Sequence, residues 1–181
     1  MAEPIENYLT DEVLALIGVE SEPIHAYDAV EHGAIRRHCQ AIMDDDPMYW
    51  DDEQAANGRY GGVVAPPLFP LHAIRRPPGT PDPLDQATED PDYDGAGQGL
   101  SARLGLPRLP LKLNRMLNGG NDVEVLALAR PGDRIVARSR YKDVFQKEGK
   151  SGPLVFVIVE TTYSTADGHA LLISRQTQVW R

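Results

Sequence analysis

The sequence predicts an α+β fold, in which an antiparallel sheet lies against one main helix. Apolar residues recur at helical spacing in the first third of the 181-residue chain, whereas runs rich in β-branched and aromatic residues fill the last third. Short turn signals separate these runs, and short connections join antiparallel neighbours in a sheet. Helices first and a strand meander afterwards are typical of the α+β class.

Two short helical segments flank the main helix in the sequence. Thr10 predicts the N-cap of the first, which carries acidic residues in its first turn and ends near Gly18. A short extended piece follows over 22–30. The second short segment, over 51–57, ends near Gly58. These signals leave room between them for one longer helix.

That main helix is expected over 30–43. Ile35, Cys39 and Ile42 recur at helical spacing, so they predict the stripe that the helix buries. Small residues, Ala41 among them, lie on its other sides. They indicate a helix that other structure encloses closely.

Four β-rich runs follow in the last third of the chain. Their residues are mostly Val, Ile, Thr, Tyr and Phe, and Gly- or Pro-containing turns separate them. The predicted strands are 121–129, 133–147, 153–165 and 169–180, with turns at 131–133, 148–152 and 167–168.

The chain is predicted to form a single domain over residues 1–181, because its length suits one core and no clean linker divides it. The segment 75–110 is rich in Pro, Gly and Asp. It is long for a structureless loop in a compact domain. We therefore expect a functional flap or an excursion that contacts a partner.

Composition excludes several classes of function. The net charge of −9 argues against a nucleic-acid surface, which needs clustered Lys and Arg. No stretch approaches the roughly 18 apolar residues of a membrane span. Cys39 stands alone, so no internal disulfide is possible, and the acidic N-terminus has no secretion signal pattern. We expect a cytoplasmic protein without a membrane or nucleic-acid partner.

The stretch "AIMDDDPMYWDDEQA", residues 41–55, contains six acidic residues. A calcium loop would need a Gly and a Glu at fixed spacing, and a transition-metal site would need nearby His or Cys. No Gly and Glu follow at that spacing and no His stands nearby in a ligand pattern, so the sequence predicts no metal. By itself the stretch is typical of a helix that ends in a solvated acidic turn.

Its surroundings favour a more specific interpretation. Together with "RYGGVVAPPLFP" (59–70), the stretch resembles the N-terminal, FAS1-like type of MaoC-like dehydratase domain. The resemblance continues in "LNGGNDVEVLALARPGDRI" (117–135) and in "FQKEGKSGPLVFVIVETTYSTADG" (145–168). It implies a hot-dog fold, in which an antiparallel sheet wraps around one long central helix.

The resemblance also locates a degenerate catalytic motif. Active (R)-specific enoyl-CoA hydratases of this superfamily carry Asp-x-Asn-Pro-[Ile/Leu]-His after the main helix, and the Asp and His share the proton transfers. Here the acid is Asp44, but Tyr49 stands at the histidine position. An unperturbed tyrosine titrates at about 10, so it is a poor proton shuttle at neutral pH.

A second departure concerns the segment that follows. The active family has Ile-Ala-His-Gly where this chain has Val64-Ala65-Pro66-Pro67. Proline has no N–H, so neither Pro66 nor Pro67 can donate a backbone hydrogen bond to a thioester carbonyl. Losing one such donor typically costs about 2.7–4 kcal/mol in the transition state. No catalytic site is therefore predicted to be intact.

The resemblance implies a subunit, itself non-catalytic, of a split enoyl-CoA hydratase without a cofactor. A homologous catalytic MaoC-like chain would be its partner in a heterodimer or heterotetramer, and trans-2-enoyl-CoA would become (3R)-hydroxyacyl-CoA. Some relatives of this design act on bulky or steroid-derived acyl groups. The candidate substrate-binding residues are Pro66, Pro67, His72, Asn114, Arg115 and Asn118.

Two alternatives stay open at the level of the sequence. The chain could be an active homo-oligomeric hydratase in which Asp44 works with Tyr49 or another residue. It could instead be an acyl-CoA-binding protein with no hydratase activity. Activity of the chain alone on an enoyl-CoA separates the first alternative from the two-subunit interpretation.

Overall fold

The computed structural model describes residues 6–75, 79–80, 103–113, 115–150 and 152–181. Most of the predicted excursion over 75–110 lies outside the described residues. The expectation that it contacts a partner therefore stays a prediction. Among the residues that the structure describes, no helix is long and apolar enough to cross a membrane.

The last third of the chain forms an antiparallel sheet, as the sequence predicted. All described strand pairs are antiparallel, and the spatial order is β1-β3-β4-β5-β2. The strands are β1 (Ile24–His25), β2 (Met116–Val125), β3 (Ile135–Gly149), β4 (Gly152–Thr165) and β5 (Ala170–Trp180).

The predicted bounds of β2 were wrong at both ends. The strand begins at Met116, because the glycine pair that was expected to precede it is absorbed as an irregularity between Asn118 and Gly120. The side chain of Asn118 accepts a hydrogen bond from the Gly120 N–H at 3.0 Å, which closes this local bend. The strand ends at Val125, and the following Leu126 and Ala127 amides share the Leu171 carbonyl.

The helical elements are short apart from one. They are α1 (Asp11–Leu14), α2 (His32–Ile42), α3 (Asp52–Asn57) and α4 (Phe69–Ala73), with a 3₁₀ turn at Pro47–Tyr49. Thr10 caps α1 as predicted, since its hydroxyl accepts from the Val13 N–H at 3.3 Å. Helix α4 was not predicted, because a proline in its first turn and its short length leave no periodic pattern to detect.

Helix α2 is the main helix, but it is buried on one side only. Ile35 and Cys39 are buried as predicted, whereas Ile42 is 51% exposed and Ala41 is also exposed. The prediction for Ile42 was wrong because the helix ends there. Met43 adopts a left-handed conformation with φ 58° and ends the helix.

The inward face of the sheet carries two hydrophobic clusters. The first packs α2, the 3₁₀ turn and α4 against β3, β4 and β5, and it includes Ile35, Tyr49 and Leu172. The second lies toward the other end of the sheet, under α1 and the segment 104–113. The candidate site therefore belongs to the first cluster.

Candidate functional site

The acidic stretch binds its own backbone. Asp44 Oδ1 accepts from the Asp46 N–H at 3.2 Å, and Asp46 Oδ1 accepts from the Met48 N–H at 3.0 Å, which caps the 3₁₀ turn. Asp51 caps α3 in the same way, with 3.0 Å between its Oδ1 and the Gln54 nitrogen. The hydrogen bond from that N–H lowers the Asp51 pKa. These carboxylates thus serve as local caps of short turns.

Tyr49 is buried in the first cluster and is 6% exposed. Burial raises its pKa to about 12, and the nearby charges of Asp44 and Asp46 act in the same direction. The phenol therefore stays protonated at neutral pH and cannot accept a proton from water. The position that the resemblance assigns to the family's histidine therefore carries a packed, protonated phenol.

Residues 65–67, just before α4, have no free backbone N–H group. The Ala65 N–H donates to the Ala129 carbonyl at 2.8 Å, and the buried Pro66 offers only its carbonyl, which accepts from the Phe69 N–H at 2.9 Å. Pro67 is exposed and also lacks an N–H. A thioester carbonyl placed beside residues 65–67 would find no free backbone donor among these three.

His72 lies on the exposed side of α4, and its ring is 4.8 Å from that of His38 on α2. The His38 ring also meets the edge of Phe69 at 5.5 Å. Burial lowers the His38 pKa, and His72 and Arg75 lower it further. The sequence did not identify His38, since its helical position alone carries no sign of this neighbour.

Exposed apolar side chains lie in the segments that form this site. Ile42 and Met43 end α2, Trp50 follows the 3₁₀ turn, and Leu68 precedes α4. The contact between His38 and Phe69 brings the last two turns of α2 close to the start of α4. We call these four residues the apolar rim. The sequence did not predict that they would form a group of exposed apolar side chains.

Arg115 and Asn118 lie far from Tyr49. Asn118 is directly opposite Gln178, six residues along β5 from Leu172, which shares the Tyr49 cluster. Six strand residues span roughly 20 Å. The Arg115 backbone exchanges hydrogen bonds with Arg181 at 3.2 and 2.9 Å.

The predicted substrate-binding residues thus divide between two places. Pro66, Pro67 and His72 lie in or beside α4, whereas Arg115 and Asn118 lie at the far end of the sheet. Asn114 lies outside the described residues. Among those that are described, no three His, Cys, Asp or Glu side chains are grouped in a way that could hold a metal ion.

The five-stranded antiparallel sheet against α2, with a hydratase-type motif after that helix, defines a hot-dog protein of the hydratase and dehydratase kind. A family model described as the FAS1-like, dehydratase domain region matches residues 15–173. The chain therefore belongs to this family, which confirms the resemblance inferred from its motifs.

Relatives and solved structures agree with this assignment. The UPF0336 protein of Saccharopolyspora erythraea is 25% identical over 167 residues, covering 92% of this chain and 90% of that protein. A chain of the ChsH1-ChsH2 complex from Mycobacterium tuberculosis has a TM-score of 0.68 at 20% identity, over 93% of this chain and 88% of its own. A chain of the C-terminally truncated HadBC (3R-hydroxyacyl-ACP dehydratase) complex from the same organism has a TM-score of 0.53 at 16% identity, over 88% and 95%. The structural likeness confirms the predicted hot-dog fold.

Proposed function

We propose that this chain is the non-catalytic subunit of a two-chain hydratase that converts trans-2-enoyl-CoA to (3R)-hydroxyacyl-CoA. The observation that carries the proposal is the state of Tyr49, whose pKa is raised to about 12 at the position of the family's catalytic histidine. A subunit of this kind would support the acyl-CoA site while a homologous partner supplies the acid and the base.

The chemistry explains why one partner is needed. Water must lose a proton as it attacks the β-carbon, and the α-carbon must gain one. Asp44 already accepts a backbone hydrogen bond, and the phenol of Tyr49 is protonated at neutral pH. Residues 65–67 present no free amide to the thioester carbonyl. The proposal therefore assigns all three tasks to groups of the partner chain.

The edge of the sheet offers a place for that chain. No described strand pairs with the outer edge of β2, a ten-residue strand in which Leu117 and Val125 are exposed. Leu126 extends the exposed apolar side chains beyond the strand. A long unprotected edge strand is a template for pairing with another chain. The names of the ChsH1-ChsH2 and HadBC structures each describe a complex, which supports a two-chain assembly here.

The proposal is tested by co-expression with a homologous MaoC-like chain that carries the intact Asp-x-Asn-Pro-x-His motif. Native mass spectrometry should detect a complex, and hydration of crotonyl-CoA should require it. The variant Val125→Lys should weaken the complex, because a charged lysine protects an edge strand from pairing. Leu14→Lys, at an equally exposed residue of α1, is the matched control and should leave assembly intact.

Two outcomes would contradict the proposal. If the isolated chain hydrates crotonyl-CoA as fast as the mixture does, it is an active homo-oligomer. If it binds acyl-CoA but forms no complex with a motif-bearing homologue, it is a binding protein without a hydratase partner. Folding of each variant is checked by circular dichroism before its assembly is measured.

A further inference from the structure

The irregular part of β2 brings an unusual group of side chains together. Asn118 lies directly opposite Gln178, and Asn121 lies opposite Gln176 after the irregularity. Directly opposed residues share a face, and Gln178 is opposite Val157 of the second hydrophobic cluster. These amide side chains therefore lie on the inward face of the sheet, next to its open edge.

Two glycines shape the strand at this point. A Cβ at Gly119 would lie 2.9 Å from the Cγ2 atoms of both Thr177 and Val179, so only glycine fits there. A Cβ at Gly120, where φ is +119°, would meet no atom within 4 Å. Glycines and irregularities inside a strand are frequent where a ligand or another chain approaches closely.

Three amides of this group share one pattern of hydrogen bonds. The Asn118 oxygen accepts from the Gly120 N–H at 3.0 Å, the Asn121 oxygen from the Ser174 hydroxyl at 2.9 Å, and the Gln178 oxygen from the Trp180 indole at 3.2 Å. None of the three amide nitrogens has an acceptor among the described residues. All three therefore have their oxygens occupied and their N–H groups available.

The orientation of two amides follows from their partners. A backbone N–H and an indole N–H can only donate, so the oxygens of Asn118 and Gln178 must face them. The nitrogen of Gln178 is then left as a donor on a side chain that is 1% exposed. A buried donor without an acceptor is unfavourable and is uncommon in folded proteins.

We propose that Asn118, Asn121 and Gln178 form a donor site for uncharged carbonyl or hydroxyl oxygens of the bound thioester. This inference rests on the proposed function for the identity of that ligand. The oxygen that meets the Gln178 N–H is expected to be uncharged, because Gln178 is 1% exposed, no cationic side chain is among the three, and a buried anion without a paired cation is strongly unfavourable. Two parts of the ligand carry such an oxygen. They are the acyl group and the pantetheine arm, which has amide carbonyls.

The experiment measures binding and does not depend on turnover. Octanoyl-CoA, 7-oxooctanoyl-CoA and the N-acetylcysteamine thioester of octanoate are titrated into the chain and into the two-chain complex by calorimetry. Trp180 gives a second signal in a Trp50→Phe background, because the chain has two tryptophans and Trp180 contacts Gln178. Because binding is measured directly, a two-chain complex without hydratase activity would contradict the proposed function but would still allow the donor site to be tested.

Two variants each remove one donor. Asn118→Asp keeps the oxygen that accepts from Gly120, and its exposed position favours normal folding. Gln178→Met keeps the length of the side chain and adds no charge. It removes the unpaired donor and also the acceptor of the part-buried Trp180 indole, so the melting temperature should change little. Thr177→Val, on the opposite face of β5, is the matched control.

Each donor-removing variant should weaken binding roughly tenfold, the effect of leaving one ligand oxygen without its partner. A loss confined to 7-oxooctanoyl-CoA assigns the site to an acyl oxygen. A loss with both CoA thioesters but not with the N-acetylcysteamine thioester assigns it to the distal amide of the pantetheine arm. An equal loss with all three ligands assigns it to the proximal amide, which N-acetylcysteamine keeps, or to the thioester carbonyl. The proposal is overturned if the wild type binds none of the three, if neither variant weakens binding more than twofold, or if Thr177→Val weakens it equally.

Discussion

At the scale of single residues, Asp44 provides a decisive test because its carboxylate already accepts the Asp46 N–H. In the two-chain complex, Asp44→Asn should change turnover by less than about tenfold, which is about 1.4 kcal/mol. The same substitution in the partner's motif should cost about 10²–10⁴-fold, since that residue would be a working base. Steady-state hydration of crotonyl-CoA measures both effects.

Assembly is the control for this substitution. An asparagine oxygen can still accept the hydrogen bond from Asp46, so the turn before Pro47 should persist and the complex should form. Native mass spectrometry checks this before any rate is compared. A variant that assembles normally and yet loses a hundredfold in turnover would identify Asp44 as a catalytic base.

The resemblance to the family's motif pointed to Asp44 and Tyr49, because a catalytic motif is local in the chain. It could not identify His38 beside His72, or Gln178 opposite Asn118, since those neighbours are created by helix and strand packing. The sequence carries the residue types, but the pairing register decides which of them meet.

At the scale of elements, the end of α2 departs from ordinary helix termini. Met43 adopts φ 58° although it is not glycine, and its side chain is 90% exposed. A left-handed conformation costs an L-residue roughly 1–2 kcal/mol, and glycine avoids this cost at a conformational-entropy loss of about 0.5–1 kcal/mol. Met43→Gly should therefore stabilise the isolated chain by up to about 1 kcal/mol, measured by urea unfolding.

Met43→Ala is the matched comparison, because alanine keeps the Cβ and removes the rest of the side chain. It should leave the stability of the isolated chain unchanged, since the methionine side chain is in solvent. Equal stabilisation by glycine and alanine would show that strain at φ 58° is not the cause. Any loss of complex formation in both variants would place the apolar rim at the subunit contact.

Sequence patterns predicted some of the helices and strands but not all of them. Four strands and the main helix were predicted from periodicity and turn residues, because these features are local. The start of β2 was missed, because Asn118 and the two glycines after it are typical turn residues in the sequence. Only their pairing with β5 shows that they belong to a strand. Helix α4 was missed because proline at its start and a length of five residues hide it.

At the scale of the whole molecule, Glu160 connects strands β3, β4 and β5 on the outward face of the sheet. It is bonded by Lys142 at 2.6 Å, by Arg140 at 2.6 and 2.9 Å and by Arg175 at 2.7 Å, and its side chain is 8% exposed. The hydrogen bond from Lys142 makes the largest contribution to lowering its pKa to about 2, with Arg140 and Arg175 adding to it against the effect of burial.

The lowered pKa sets the direction of a pH effect on stability. The folded chain holds the Glu160 proton less tightly than the unfolded chain, whose carboxyl titrates near 4.5. The contribution is therefore fully present above about pH 4.5 and is lost as the pH falls toward 2. Its size is on the order of 2–3 kcal/mol for a nearly buried group.

Glu160→Gln should reduce the free energy of unfolding by this amount at pH 7, and the difference from wild type should shrink toward pH 2. Urea unfolding at both ends of the range measures it. Glu124→Gln is the control, because Glu124 is half-exposed and its only ion pair among the described residues is with Arg175, so it should change stability by less than about 1 kcal/mol. A Glu160→Gln difference that stays constant from pH 7 to pH 2 would mean that packing at this position, and not the carboxylate charge, holds the three strands together.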